Sequence, residues 1–168
     1  SIEGELELAL AQLGGARKGV DAGERRGIGR SILQALGYVY LEMGDNEKGL
    51  KAYDDALKSA KALALPNVVV HCLHGRAYAL YCLDDYRAAA TTLERCLELR
   101  DEGFNPLVVA RIHLLLGVMQ GLLGDPAAME SADRAYRMAK DASFWPTQGG
   151  AEALRVSWGI RQGDDELV

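Results

Sequence analysis

Small and apolar residues recur at a spacing of four and then three along the chain, which is the buried stripe of an amphipathic α-helix. Three segments carry the stripe clearly, and a fourth carries it weakly because it includes an aspartate. The four sets are Ala9, Leu13 and Ala16; Gly49, Tyr53 and Ala56; Ala89, Leu93 and Cys96; and Met129, Asp133 and Tyr136. The best strand candidate is residues 68–70, but the apolar run around it is too long and too rich in Ala and Leu. The chain is therefore predicted to be all-helical.

The pattern repeats with a period of 40 residues, which Pro66, Pro106 and Pro146 mark along the chain. A fixed period of about 20 to 50 residues indicates an array of repeats. Each period divides into a first helix, as in 67–82, and a second helix, as in 46–63. The predicted array covers residues 1–168, with a half-repeat at 4–25, full repeats at 26–65, 66–105 and 106–145, and a half-repeat at 146–168. Half-repeats at both ends indicate a piece of a longer array.

One small residue per period is expected to let paired helices approach closely. The four positions are Gly37, Ala77, Gly117 and Ser157, each on a first helix.

The stretch "GDNEKGL" at 44–50 could be a calcium-binding turn or the start of a helix. As a calcium loop it fails, because Gly49 and Leu50 stand where that motif needs an oxygen ligand and its invariant glycine. An acidic residue also holds the same slot in every period, where it can cap the first turn of the second helix. These residues are Glu5, Asp45, Asp85, Asp125 and Asp165. In the third full repeat Pro126 follows, as suits a first helical position.

"LGYVY" at 36–40, followed by "GLKAYDDA" at 49–56, resembles the tetratricopeptide repeat, and "LHGRAYAL" followed by "AATTLERC" is a looser copy. The period of 40 residues exceeds the usual length of about 34. Such long variants occur in bacterial signal-transduction ATPases and transcriptional regulators. HEAT-type repeats share roughly this period, but the Gly-Asp turn and "LGYVY" favour the tetratricopeptide repeat. The resemblance implies an all-α, right-handed superhelical solenoid of antiparallel helix pairs, with about eight helices.

Composition and charge exclude several functions. The 168 residues include 19 basic and 24 acidic side chains, for a net charge of −5, and nucleic-acid binding needs a basic face. No apolar run approaches the ~18 residues that span a bilayer. We therefore expect neither direct nucleic-acid binding nor a membrane association. The cysteines, Cys72, Cys82 and Cys96, lie in apolar helical stretches, as expected of reduced thiols in a cytoplasmic protein.

Motifs for catalysis or metal binding are weak. His71, Cys72 and His74 offer too few converging ligands for a zinc site, and no second ligand pair exists. The "ERRGIGRS" segment at 24–31 contains a G-x-G but follows no strand, so it is interpreted as a linker. No serine has the setting of an activated nucleophile. We expect no enzyme activity, no cofactor and no metal.

The family resemblance implies that first helices line a concave groove that binds a peptide or protein partner. The candidate residues, on this register, are Gln34, Tyr38, Glu42, His71, His74, Tyr78, Tyr81, Arg111, Arg155, Trp158 and Arg161. The leading hypothesis is a non-catalytic protein–protein interaction scaffold. The alternatives are a ligand-sensing or regulatory segment of a bacterial signal-transduction ATPase or transcriptional regulator, and a structural spacer. Array ends that expose apolar surface are candidates for self-association.

Overall fold

The computed structural model describes residues 25–62, 64–99 and 104–162, and these contain seven α-helices and no strand. The helices are α1 (Arg25–Glu42), α2 (Asn46–Ala62), α3 (Pro66–Cys82), α4 (Tyr86–Leu99), α5 (Pro106–Leu122), α6 (Ala127–Asp141) and α7 (Trp145–Gln162). The all-helical prediction is confirmed. The predicted helix at 4–18 and the cap positions Glu5 and Asp165 lie outside the described residues. None of the helices described is both long enough and apolar enough to cross a membrane.

The chain divides into two compact units, Ser1–Asp84 and Asp85–Val168. In unit 1, α2 packs against both α1 and α3, and α1 also contacts α3. In unit 2, each helix from α4 to α7 packs against the next, and α5 also contacts α7. Short turns join α1 to α2, α5 to α6 and α6 to α7, so the helices of these pairs run antiparallel.

In the three described periods the acidic residue accepts a hydrogen bond from the start of the following helix, as predicted. Asp45 Oδ1 accepts a hydrogen bond from the Lys48 backbone N–H at 3.4 Å, and Asp85 Oδ1 accepts one from Ala88 at 3.1 Å. Asp125 Oδ1 accepts one from Ala127 at 2.9 Å. These bonds satisfy orphan donors of the first helical turn, so 44–50 is a helix start. In the third copy α6 begins at Ala127, one residue after the predicted position, and Pro126 precedes it with φ −61°.

The turn before each cap needs a left-handed backbone. Gly44 has φ +77° and Gly124 has φ +73°, and Asp84 adopts φ +60° at the equivalent position. Left-handed backbone is easily adopted by glycine and is tolerated by Asn and Asp.

We expect Gly44→Ala to lower the free energy of unfolding by about 1 kcal/mol. A Cβ at Gly44 would meet nothing within 4 Å, so the cost is conformational rather than steric. Urea unfolding followed by circular dichroism measures the change. Gly44→Asn is the matched control and should lose less, because Asn tolerates this conformation. Equal losses for Ala and Asn would contradict the explanation.

Tyr53 of α2 fills the centre of unit 1. Its ring lies between two glycines, since a Cβ built on Gly37 of α1 would be 2.8 Å from its Cε2, and one built on Gly75 of α3 would be 2.2 Å from its Cε1. Leu41 and Ala79 belong to the same buried cluster. The close approach predicted at Gly37 is therefore confirmed, and Gly75 provides a second one that the stripe did not indicate.

The predicted stripes are buried in α2 and α4, but the prediction for α6 is wrong by one residue. Met129, Asp133 and Tyr136 are only half-buried. The buried face of α6 consists of Ala128, Ser131, Ala132, Ala135 and Ala139. Small side chains on this face allow close packing, and the carboxylate of Asp133 stays at the edge, where it pairs with Arg155 at 2.9 Å. Among the other small residues that were predicted to allow close helix approach, Ala77 and Gly117 are buried, whereas Ser157 is exposed.

Two buried groups predict loss of stability in alkali. Burial raises the pKa of Tyr53 to about 12 and that of the Cys96 thiol to about 12. Because both folded pKa values lie above those of the unfolded chain, the stabilisation is complete below about pH 9 and is lost as pH rises toward 12.

We expect the urea midpoint to fall steadily between pH 9 and pH 11. Cys96→Ala removes one of these two buried groups and should make that fall shallower. An identical pH dependence in the native chain and this variant would rule out the contribution of the thiol.

Candidate partner-binding surface

A cluster of tyrosines lies on α1 and α3 of unit 1. We call Tyr38, Glu42, Tyr78 and Tyr81 the tyrosine face. Tyr38 is 58% exposed and Tyr78 is 42% exposed. The ring centroids of Tyr78 and Tyr81 are 5.9 Å apart, with the planes tilted by 43°. Four residues from the sequence-predicted set are thus brought to neighbouring helices of one unit.

The surroundings of Tyr78 in the tyrosine face favour its neutral phenol. Burial raises the pKa of Tyr78 above its usual value, and nearby Cys82, Glu42, Tyr81 and Tyr38 raise it further. Burial likewise raises the pKa of the Cys82 thiol. A hydrogen bond with Tyr78 partly offsets this increase. The face therefore offers the neutral ring of Tyr78 near the exposed Glu42 side chain.

The other predicted residues of unit 1 flank this face. Gln34 of α1 is half-buried and donates a hydrogen bond from Nε2 to Cys72 Sγ of α3 at 3.2 Å, which joins the two helices. His71 is exposed and His74 is half-buried on α3. Across the part of the chain that the structure describes, no group of three His, Cys, Asp or Glu side chains could hold a metal ion.

In unit 2 most predicted residues have structural contacts. Arg155 pairs with Asp133 of α6 and lies over the Tyr136 ring, 5.7 Å from its centroid. Arg161 is exposed, yet its Nη1 donates to the Gly121 carbonyl at 3.2 Å, in the last turn of α5. A cation there offsets the negative end of the helix dipole.

Trp158 is only 9% exposed. Its ring lies 3.9 Å from the position of a Cβ built on Gly121. The expectation that Trp158 faces a partner therefore needs correction, because its indole is packed against α5. Arg111 of α5, by contrast, is exposed.

A shallow depression lies at the turns of unit 1, and sequence reasoning missed it. It is lined by residues 43–47 and by Leu83. Asn46 Nδ2 donates to the Cys82 carbonyl at 2.9 Å and so holds the two turns together. Met43 and Leu83 are both exposed. The period would have revealed them, because Leu123, which is also exposed, occupies the same slot in the next repeat.

Residues 30–102 match the family model of the tetratricopeptide repeat. The matched segment includes α2, α3 and α4 in full and α1 from residue 30 onward, so it contains all four residues of the tyrosine face. The resemblance first suggested by "LGYVY" and "GLKAYDDA" is thus confirmed.

Two solved structures share the fold over nearly the whole chain. The apo form of RapI superposes with a TM-score of 0.85 at 17% sequence identity. The alignment covers 98% of this chain and 46% of RapI. BtubC (BKLC) from P. vanneervenii superposes with a TM-score of 0.79 at 19% sequence identity. The alignment covers 99% of this chain and 71% of BtubC. The chain therefore spans about half the length of RapI. A comparison with curated proteins gave no significant match.

Proposed function

We propose that this chain is a non-catalytic scaffold that binds a partner protein or peptide through the tyrosine face of unit 1. One observation carries the proposal, namely that two large rings, Tyr38 and Tyr78, are exposed on two contacting helices within the segment that matches the tetratricopeptide repeat, and Tyr38 is near enough to influence the pKa of Tyr78. Single exposed aromatics are common on protein surfaces. Clustered tyrosines are instead typical of binding hot spots, since they offer a large contact area at low cost in side-chain entropy.

The proposal is tested by capture of partners from a lysate of the source organism with three immobilised chains. These are the native chain, Tyr38→Ala with Tyr78→Ala, and Trp145→Ala. Trp145 is 78% exposed in unit 2 and controls for the loss of a large exposed ring elsewhere. The scaffold function predicts proteins held by the native and Trp145→Ala chains and absent from the tyrosine variant. If all three chains hold the same proteins, the tyrosine face is not the binding site.

Trp158 is left unchanged in this design. Because its ring is buried, replacing it would leave a cavity, and loss of binding would then report loss of structure. Tyr38 and Tyr78 are exposed, so alanine at these positions should leave the helix content unchanged, which circular dichroism checks.

The alternative function, a ligand-sensing or regulatory segment of a signal-transduction ATPase or transcriptional regulator, predicts a different outcome. A small ligand would leave the capture experiment without protein partners. It would instead raise the melting temperature of the native chain in a screen of small molecules. We favour the scaffold because the exposed rings form an open face rather than an enclosed cavity.

We also propose a reducing compartment such as the cytoplasm. Support comes from Cys72, Cys82 and Cys96, whose sulfur atoms are not joined in disulfide bonds.

A further inference from the structure

The charges around the tyrosine face are asymmetric. Glu42 is exposed at the end of α1, and Asp84 follows the end of α3. The sequence has no Lys or Arg from residue 31 to residue 47. The single Lys or Arg of α3 is Arg76, and its Nε already pairs with Asp54 Oδ1 at 2.7 Å. The face therefore combines aromatic rings with negative charge.

Two tyrosine rings outside the tyrosine face already make cation–π contacts with basic side chains of the chain itself. Lys48 Nζ lies 5.7 Å from the centroid of Tyr40, and Arg155 lies at the same distance from that of Tyr136. Among the described residues, no Lys or Arg lies over the ring of Tyr38 or Tyr78. These two rings are the ones exposed on the face, and each can receive a cation from another molecule.

We propose that the tyrosine face binds a basic segment of the partner, with a Lys or Arg side chain against the rings of Tyr38 and Tyr78 beside Glu42. This inference rests on the proposed function and specifies the chemistry of the partner.

The physical reason is that three attractions act on the same cation. The negative face of an aromatic ring attracts a cation within about 6 Å of its centroid. The Glu42 carboxylate adds a charge-assisted hydrogen bond. The net charge of −5 favours the approach of a basic segment over long range. An acidic segment would gain none of these and would be repelled by Glu42.

The test begins with selection of a displayed library of random 12-residue peptides on the full chain. Parallel selections use Tyr38→Leu with Tyr78→Leu, which keeps apolar bulk but removes the rings, and Trp145→Leu as the matched control. Peptides selected by the native chain are then synthesised with Lys replaced by norleucine or Arg by citrulline. Fluorescence anisotropy gives the affinity of each peptide.

We expect peptides selected by the native and Trp145→Leu chains to be enriched in Lys or Arg, and the tyrosine variant to select none of them. Removing the key charge should weaken binding about tenfold, and Glu42→Gln should weaken it about threefold while reducing its salt dependence. Selected peptides without basic residues, or with affinities unchanged by norleucine and citrulline, would overturn the inference but leave the scaffold function standing. Failure to select any peptide would count against both.

Discussion

Replacing Gly75 by alanine is expected to lower the free energy of unfolding by about 2 kcal/mol or more. In most helices this change is stabilising, since alanine is the better helix former by about 1 kcal/mol. Here the new Cβ would lie 2.2 Å from Cε1 and 2.4 Å from Cζ of Tyr53. The ring cannot retreat, because Gly37 confines its opposite edge. Urea unfolding monitored by circular dichroism measures the loss.

The matched control is Gly149→Ala in α7. A Cβ there would meet nothing within 4 Å, so we expect a gain of about 0.5 to 1 kcal/mol from helix propensity. The same substitution should thus act in opposite directions at the two sites. Tyr53→Leu supplies a second check, since a smaller side chain should make room for the methyl group of Gly75→Ala and show a favourable coupling in a double-mutant cycle. Purely additive effects of Gly75→Ala and Tyr53→Leu would contradict the contact.

The second large effect concerns binding. For a partner identified by capture, we expect Tyr38→Ala with Tyr78→Ala to weaken the affinity about 30- to 100-fold, which corresponds to roughly 2 to 3 kcal/mol for two hot-spot rings. Isothermal titration measures this change. Phenylalanine at both positions is the control, and it should retain most of the affinity because it preserves the ring faces.

The double alanine variant should also keep the urea midpoint of the native chain to within experimental error. Tyr38 is more than half exposed, and surface substitutions away from buried contacts usually change stability by less than about 0.5 kcal/mol. A loss of affinity accompanied by an equal loss for the phenylalanine pair would show that the hydroxyl groups, rather than the rings, bind the partner.

The sequence was sufficient to predict features that repeat. Asp45, Asp85 and Asp125 could be assigned as caps because their slot recurs every 40 residues and their side chains suit the orphan N–H groups of a helix start. Gly37 could be assigned as a close approach because it lies on the buried stripe. In each case one local rule of helix chemistry coincides with the period.

The sequence pattern does not predict features that depend on contacts between residues far apart in the chain. Gly75 lies off the predicted stripe, and its importance comes from the Tyr53 ring of the preceding helix. The spacing of Met129 and Tyr136 predicts a buried face of α6 that is one residue out of register. The structure instead buries the neighbouring alanines, whose small side chains let α6 pack closely. The register alone predicts that Trp158 and Arg161 face a partner, whereas in the structure both side chains contact α5.

The most direct test of the proposed binding face is hydroxyl-radical footprinting of the full chain, alone and bound to a captured partner. In the free chain Tyr38, Tyr78 and Trp145 should all be oxidised, since all three are exposed. The proposal predicts that the partner protects Tyr38 and Tyr78 and leaves oxidation of Trp145 unchanged. Protection of Trp145 with continued oxidation of Tyr38 and Tyr78 would place the partner elsewhere and contradict a binding face on α1 and α3.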